Sequence, residues 1–486
     1  MRGPRYLVGT SCAAAAVALV ATFAVPAGER TAVAQTTLYG SPKIVASGIR
    51  GIAYHPGGRL IRSGPALRNR PDTFLIRTGY GGWEPTLGVA RDGTVVYAAR
   101  NTNADSRVIR TEDEGKTWTD ITPENENRHV ASLDPFLWLD NTTGQVFDTD
   151  IDPSITCPPI SVSSINDVQW STSRLCGHVD YQKVFGGRAP EGQPEPTGYP
   201  NVVYFCAITG NEGAGSPSST ECSKTLDGGQ TWNATGSPAY PIKVAAAPDG
   251  TTEPCDGAAP PGVVDSQGTV FIGRGWCGNP YIAISHDEGA TWTRHRVSKM
   301  KMPYDGGAWP NLAPVGVDAS NNLYVAWSAK DWHIYLSHST DGGKTWSSAA
   351  DVTPPGVTRA TMPAITGGGR GKLALTFVGS ESSKNSGGNK SWNGYIAESA
   401  NALSSRPTFY AASVQRPSSP LWKGNDCGPI RCGNLGDFFT VRIAPDGSVW
   451  SALVDSRLKG QNTSFGVTDP RGEAIVGRLE GGPDLR

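Results

Sequence analysis

Five short stretches carry the residues best able to do chemistry. Glu84 sits in GGWEPTL, Asp134 in SLDPFLW, His178 and Asp180 in CGHVDYQKVF, Trp309 in GAWPNL and Asp437 in LGDFFTV. Each stands at or just ahead of an apolar run, where a chain entering a strand can present a side chain to solvent. Arg274, in GRGWCG, and Arg457, in LVDSR, close other runs. Two carboxylates about 5–10 Å apart would serve as general acid and base across a glycosidic bond. Arginines would hold an acidic group through paired N–H donors. A second chemistry is eliminative cleavage of a uronic-acid chain. His178 would act there with Tyr181 or Tyr304, and an arginine would neutralise the substrate carboxylate. A third outcome is binding without reaction. Trp309, Tyr181, Arg274 and Arg457 are the candidate substrate contacts.

These residues need a scaffold that brings distant segments to one point, and a repeat supplies it. TEDEGKTW (111–118), TLDGGQTW (225–232), SHDEGATW (285–292) and STDGGKTW (339–346) share Ser/Thr-x-Asp-x-Gly-x-Thr-Trp at every fixed position. SSINDVQW (163–170) reads as a decayed copy. The Trp-to-Trp steps run between about 50 and 62 residues, a period of propellers or solenoids. The Asp carboxylate can accept backbone N–H groups across its own turn. The Gly supplies positive φ. The Trp leaves the turn and packs inward. Between these turns, EPTLGVARDGTVVYAAR, NLAPVGVDASNNLYVAWS and FFTVRIAPDGSVWSALVD each read as strand, Asp/Asn-containing turn and strand.

The repeat resembles the Asp-box, or BNR, repeat of the sialidase superfamily of β-propellers. The resemblance implies an all-β propeller with blades opening near Glu84, Asp134, Asp180, Gly262, Asn311, Pro363 and Asp437. Seven blades are expected, with six as the alternative. It places the boxes between the third and fourth strands of a blade, on the rim away from the active site. Asp113, Asp227, Asp287 and Asp341 are then structural. Strands near 43–77 should close the ring against the last blade. The chain departs from true sialidases in two places. FLIRTG (74–79) stands where the family has an arginine-bearing Phe/Tyr-Arg-Ile-Pro motif. Phe438 or Phe439 stands where the family has its nucleophilic Tyr, and Asp455 roughly replaces the Glu that follows. The resemblance therefore points to a glycan-active hydrolase with another carboxylate pair, or to a glycan- or protein-binding propeller.

Composition bounds the remaining choices. The chain has 486 residues, with 43 Lys plus Arg against 44 Asp plus Glu, so nothing in its charge suits a nucleic-acid backbone. Arg2 and Arg5, the run CAAAAVALVATFAV and the small-residue site AVAQ read as a signal peptide over 1–34, cleaved after Ala34. That run is too short to span a bilayer. The expectation is a secreted, monomeric chain whose single domain covers 35–486 and whose partner is an extracellular glycan or glycoconjugate. No membrane anchor is expected. Eight cysteines remain after the signal, in four close couples: Cys157–Cys176, Cys206–Cys222, Cys255–Cys277 and Cys427–Cys432. No cofactor is required. Asp148, Asp150 and Asp152 alternate, and on a strand they would share a face suited to calcium. An exposed acidic edge is the preferred reading, because the glycine and distal Glu of a calcium loop are lacking.

Overall fold

The computed structural model describes residues 39–100, 106–123, 134–151, 157–177, 180–210, 218–241, 258–303, 312–383, 390–424, 435–457 and 472–486. The signal segment, His178, Trp309, Tyr304, Asp152, Cys255, Cys427 and Cys432 lie outside them. The described strands form seven antiparallel sheets. Blade 1 holds Thr86–Val89, Val95–Arg100, Ser106–Thr111 and Thr119–Asp120. Blade 2 runs from Phe136 to Arg174, blade 3 from Asp180 to Ala234 and blade 4 from Val263 to Arg296. Blade 5 runs from Val315 to Asp351 and blade 6 from Arg359 to Ser413. Blade 7 is built from Thr440–Ile443, Val449–Asp455 and Glu473–Glu480, with Asp72–Gly81 and Lys43–Arg50 added outside. The first strand of each sheet touches the first strand of the next, and Thr440–Ile443 touches Thr86–Val89, so these inner strands close a ring. The fold is an all-β propeller. The chain includes a 3-10 turn, Pro65–Asn69, and among the described residues no helix is long and apolar enough to cross a membrane.

The packing follows the sheets. Seven hydrophobic clusters fill the seven gaps between neighbouring blades. Middle strands such as Val95–Arg100 and Leu323–Ser328 are buried along their whole length. Both of their faces are covered, so they read as continuous apolar runs without alternation. The ring shuts where Asp72–Gly81 pairs with Glu473–Glu480, Ile76 opposite Val476. The preceding segment continues to the next blade, where Ile52–His55 pairs with Phe409–Ser413 of blade 6. One N-terminal stretch thus seals the outer edges of two blades and leaves fewer open ladders.

All four repeat turns make the same bonds, between the third and fourth strands of blades 1, 3, 4 and 5. In the first, Thr111 Oγ1 donates to Asp113 Oδ1 at 2.8 Å and Thr117 N donates to the same oxygen at 2.8 Å. Thr117 Oγ1 donates to Asp113 Oδ2 at 2.7 Å, and Gly115 N donates back to Thr111 Oγ1 at 2.9 Å. Asp227, Asp287 and Asp341 repeat the set. Hydrogen bonds from Thr345 above all hold the Asp341 carboxyl down to about 2. The stability this turn gives is therefore kept through mild acid and lost only as pH falls towards that value. Trp118 and Trp292 are buried, while Trp232 and Trp346 are half-buried. The decayed copy occupies the matching place in blade 2 with different bonding, since Ser163 Oγ donates to the Asp167 backbone carbonyl. Blade 6 carries a reduced version with Asn401 in place of the aspartate. There Asn401 Oδ1 accepts from Ser399 Oγ at 3.3 Å and from Thr408 N at 2.8 Å.

The repeat glycine has a second job, because each one abuts the preceding blade. A Cβ on Gly115 (φ +89°) would lie 2.6 Å from Ile76 Cγ2, and one on Gly343 (φ +85°) would lie 2.7 Å from Ile284 Cδ1. Gly229 and Gly289 meet Val162 and Thr235 in the same way.

Two disulfides have the expected partners, Cys157–Cys176 and Cys206–Cys222. Cys277 is also disulfide-bonded.

Gly93, in a blade 1 hairpin, has φ +92° but open space around it. Gly93→Ala should cost about 1 kcal/mol, from left-handed strain alone. Gly115→Ala should cost about 2–4 kcal/mol, since strain and overpacking combine. Denaturant unfolding of the two variants checks this, and equal losses would refute the wedge.

Candidate functional site

The openings of the inner strands meet at one mouth of the central channel. Glu84 just before its strand, and Met362 and Tyr181 at bulges inside theirs, lie in the left-handed region with φ 52°, 54° and 55°. Proline follows Glu84 and Met362, which disfavours the right-handed helical alternative. Left-handed backbone at such side chains is strained, and strain of this kind gathers where surrounding structure fixes a site.

A buried cation stands at the centre. Lys183 is 1% exposed. Its Nζ donates to the Gln182 carbonyl at 3.0 Å. It lies 4.1 Å from the ring centres of Tyr181 and Phe438, and 4.9 Å from that of Phe136. Burial pushes its ammonium down to about 8, and the charges of Asp134, Asp180, Glu84 and Asp437 pull the other way. Those four carboxyls come from blades 1, 2, 3 and 7. Glu84, Asp134 and Asp437 are buried, and Asp180 alone is half-buried.

Asp180 and Asp134 form a hydrogen-bonded carboxyl pair. Burial first, then the Asp134 charge, push Asp180 up to about 8, although Tyr181 N donates to its Oδ1 at 2.6 Å. At neutral pH Asp180 therefore keeps a proton and shares it with Asp134. Gln182 Nε2 donates to the Asp134 carbonyl and fixes the neighbouring strands. Glu84 lies against the segment that leads to Asp437: a Cβ on Gly436 would sit 2.6 Å from Glu84 Cγ. Tyr181 is 2% exposed, with its hydroxyl donating to the Asp437 carbonyl at 3.3 Å. Burial, then the Asp437 charge, hold its phenol well above the ordinary range.

The charges of Glu84, Asp134, Asp180 and Asp437 thus all act on Lys183, beside the Tyr181 ring. The expected arginines do not join them. Arg274 is fully buried between blades 3 and 4, where NH1 donates to Thr220 Oγ1 at 2.8 Å and the guanidinium lies 5.4 Å from the Tyr240 ring centre. Arg457 grips Asp455 with Nε and NH2, at 2.8 and 2.5 Å. Arg77 holds the same carboxylate at 2.6 Å and also pairs with Glu473. Asp148 and Asp150 are buried, so the exposed acidic edge is corrected. They lie on a middle strand or at its end, facing blade 1, where Ser106 Oγ donates to Asp150 Oδ2 at 2.8 Å. Among the described residues no cluster of three His, Cys, Asp or Glu is arranged to hold a metal.

Lys183 is the residue the sequence reading missed. A signal was present: a lysine inside YQKVF, in a strand otherwise patterned for burial. Long cations in such strands are rarely fully buried unless paired.

No family model matches the sequence, and no curated protein is similar to it. Solved structures with a similar fold include an Aleuria aurantia lectin in complex with Fucalpha1-6GlcNAc, at 12% identity and TM-score 0.43 over 68% of this chain and 95% of that one. The NanB sialidase of Streptococcus pneumoniae matches at 12% identity and TM-score 0.40, over 82% of this chain and 68% of that one. The Hadza microbial sialidase Hz136 matches at 14% identity and TM-score 0.40, over 70% and 66%. Likeness at this level carries no argument about what this chain does.

Replacing Lys183 by Met leaves four carboxyls without their cation. The variant should lose about 3–5 kcal/mol near neutral pH. Protonation of the carboxyls removes the uncompensated negative charge, so the deficit should shrink as pH falls. Denaturant unfolding at mildly acidic and neutral pH checks both size and sign.

Proposed function

We propose that the channel mouth cleaves a glycosidic bond in an extracellular glycan, with Asp180 as the proton donor. One observation carries the reading: carboxyls from four blades surround one ammonium, and the half-buried one holds its proton to about 8. A general acid needs a proton at working pH and access to the leaving oxygen, and Asp180 is the acid of the four with both. Asp134 accepts the shared hydrogen bond and orients Asp180. The pair is too close to flank a sugar, so the opposing carboxylate is Glu84 or Asp437. Lys183 favours the ionised form of these acids, ready to act on water or to stabilise the positive charge that develops on the sugar ring. The glycan class rests on the repeat's resemblance to the sialidase superfamily. Export rests on the N-terminal signal and fits the disulfides. Elimination by His178 and Tyr181 is the weaker reading, since the Tyr181 hydroxyl is buried and engaged.

A second reading is a glycan-binding propeller without chemistry. It is favoured by the burial of Lys183, Glu84, Asp134 and Asp437, none more than 6% exposed, which would suit a polar plug.

The mature protein should be screened against sialosides, neutral aryl-glycosides and uronic-acid polysaccharides. New reducing ends are expected. Asp180→Asn should lower kcat by about 100-fold or more while folding normally. Activity should hold below about 8 and fall above it, as Asp180 loses its proton. Glycan binding without turnover, equal in wild type and Asp180→Asn, would replace this reading with the binding one.

A further inference from the structure

The far end of the channel holds a second cation, half-buried on the wall of the same cavity that reaches Lys183 at the mouth. Arg442 lies on the inner strand of blade 7, opposite Trp450. Along that strand Val441 and Ile443 turn into the cluster between blades 6 and 7. Thr440, on the other face, accepts from Leu87 N of blade 1 at 2.8 Å. Arg442 shares that face and lines a channel cavity of about 270 Å³. The cavity runs from Lys183 and Phe438 at the mouth to Gly186, Val264, Val317 and Gly367, near the ends of four other inner strands.

The guanidinium has one hydrogen bond, from NH1 to the Val441 carbonyl at 2.9 Å. No ion pair forms with it among the described residues. Burial pushes it down to about 10, and no neighbouring charge opposes the shift. The contrast with Lys183, ringed by four carboxyls, is complete. The acids that follow the inner strands are already committed. Asp140 accepts from Tyr199 and Asn201, Asp318 from Asn322, Tyr324 and Gly371 N, and Asp265 from Thr269 N and Gln267 N.

We propose that the far end of the channel is a binding site for a small oxyanion, held by the N–H fork of Arg442. A guanidinium stays charged at any physiological pH. Half-buried with no counter-charge beside it, the fork faces a cavity that leaves room for one. A planar oxyanion accepts two parallel N–H bonds from such a fork. The walls are otherwise largely aliphatic, aromatic or glycine, so charge and size would select the ligand. A small carboxylate and an inorganic oxyanion share this chemistry.

The probes are sodium formate and sodium nitrate, titrated calorimetrically into the full chain in Tris–HCl, which holds no oxyanion. Thermal unfolding is followed in parallel. Saturable binding of one anion per chain is expected, with Tm rising over the same concentrations. Tighter formate would assign the site to carboxylates, and tighter nitrate to inorganic anions. Arg442→Lys keeps the charge but not the fork and should bind about tenfold more weakly or worse. Arg442→Gln should abolish both effects. No saturable binding by the wild type, or equal binding by either variant, would overturn the proposal. The wild-type titration decides the matter even if Arg442→Gln does not fold.

Discussion

The pairing of Asp72–Gly81 with Glu473–Glu480 is the constraint on which everything else rests. It joins segments about four hundred residues apart in sequence and fixes the outer edge of the last blade. Every inner strand is then held between two others, and only a shut ring brings blades 7 and 1 together. Glu84 and Asp437 meet across that closure, and Thr440 bonds Leu87 across the same seam. The repeat turns extend the principle around the circle. Their Asp and Thr residues lock the turn, and their glycines let it press against the blade before.

Charge is distributed unevenly along the axis. Four carboxyls and one lysine crowd the mouth, while a lone arginine faces the far cavity. Burial raises the cost of every ion at the mouth, so the group settles by keeping a proton on Asp180 and drawing Lys183 into an aromatic cage. A carboxyl that stays protonated near neutral pH is then a consequence of how strands from separate blades are packed. Remote parts of the ring can therefore tune it, because any change in blade spacing alters the desolvation that sets its pKa.

Much of the fold is legible in the sequence. The four Asp-containing turns, the inner-strand openings near Glu84, Asp134 and Asp180, and the Cys157–Cys176 and Cys206–Cys222 pairs are local patterns, and local patterns survive without knowledge of the fold. The site is partly legible for the same reason, since a carboxylate ahead of an apolar run marks a strand mouth. Lys183 was not, because its role comes from Phe136 and Phe438 on strands distant in sequence. Arg274 and Asp148 misled for a related reason. Alternation along a strand tells which residues share a face, but not whether another blade covers that face. Arg457 looked like a substrate clamp until its neighbour Asp455 took both arms of the fork.

The central claim is that Asp180 is protonated at the channel mouth near neutral pH. Infrared difference spectroscopy of wild type against Asp180→Asn tests it most directly. The account predicts a protonated-carboxyl stretch in the wild type at neutral pH that the variant lacks and that fades as pH rises through about 8. A difference spectrum showing only carboxylate at neutral pH would contradict it.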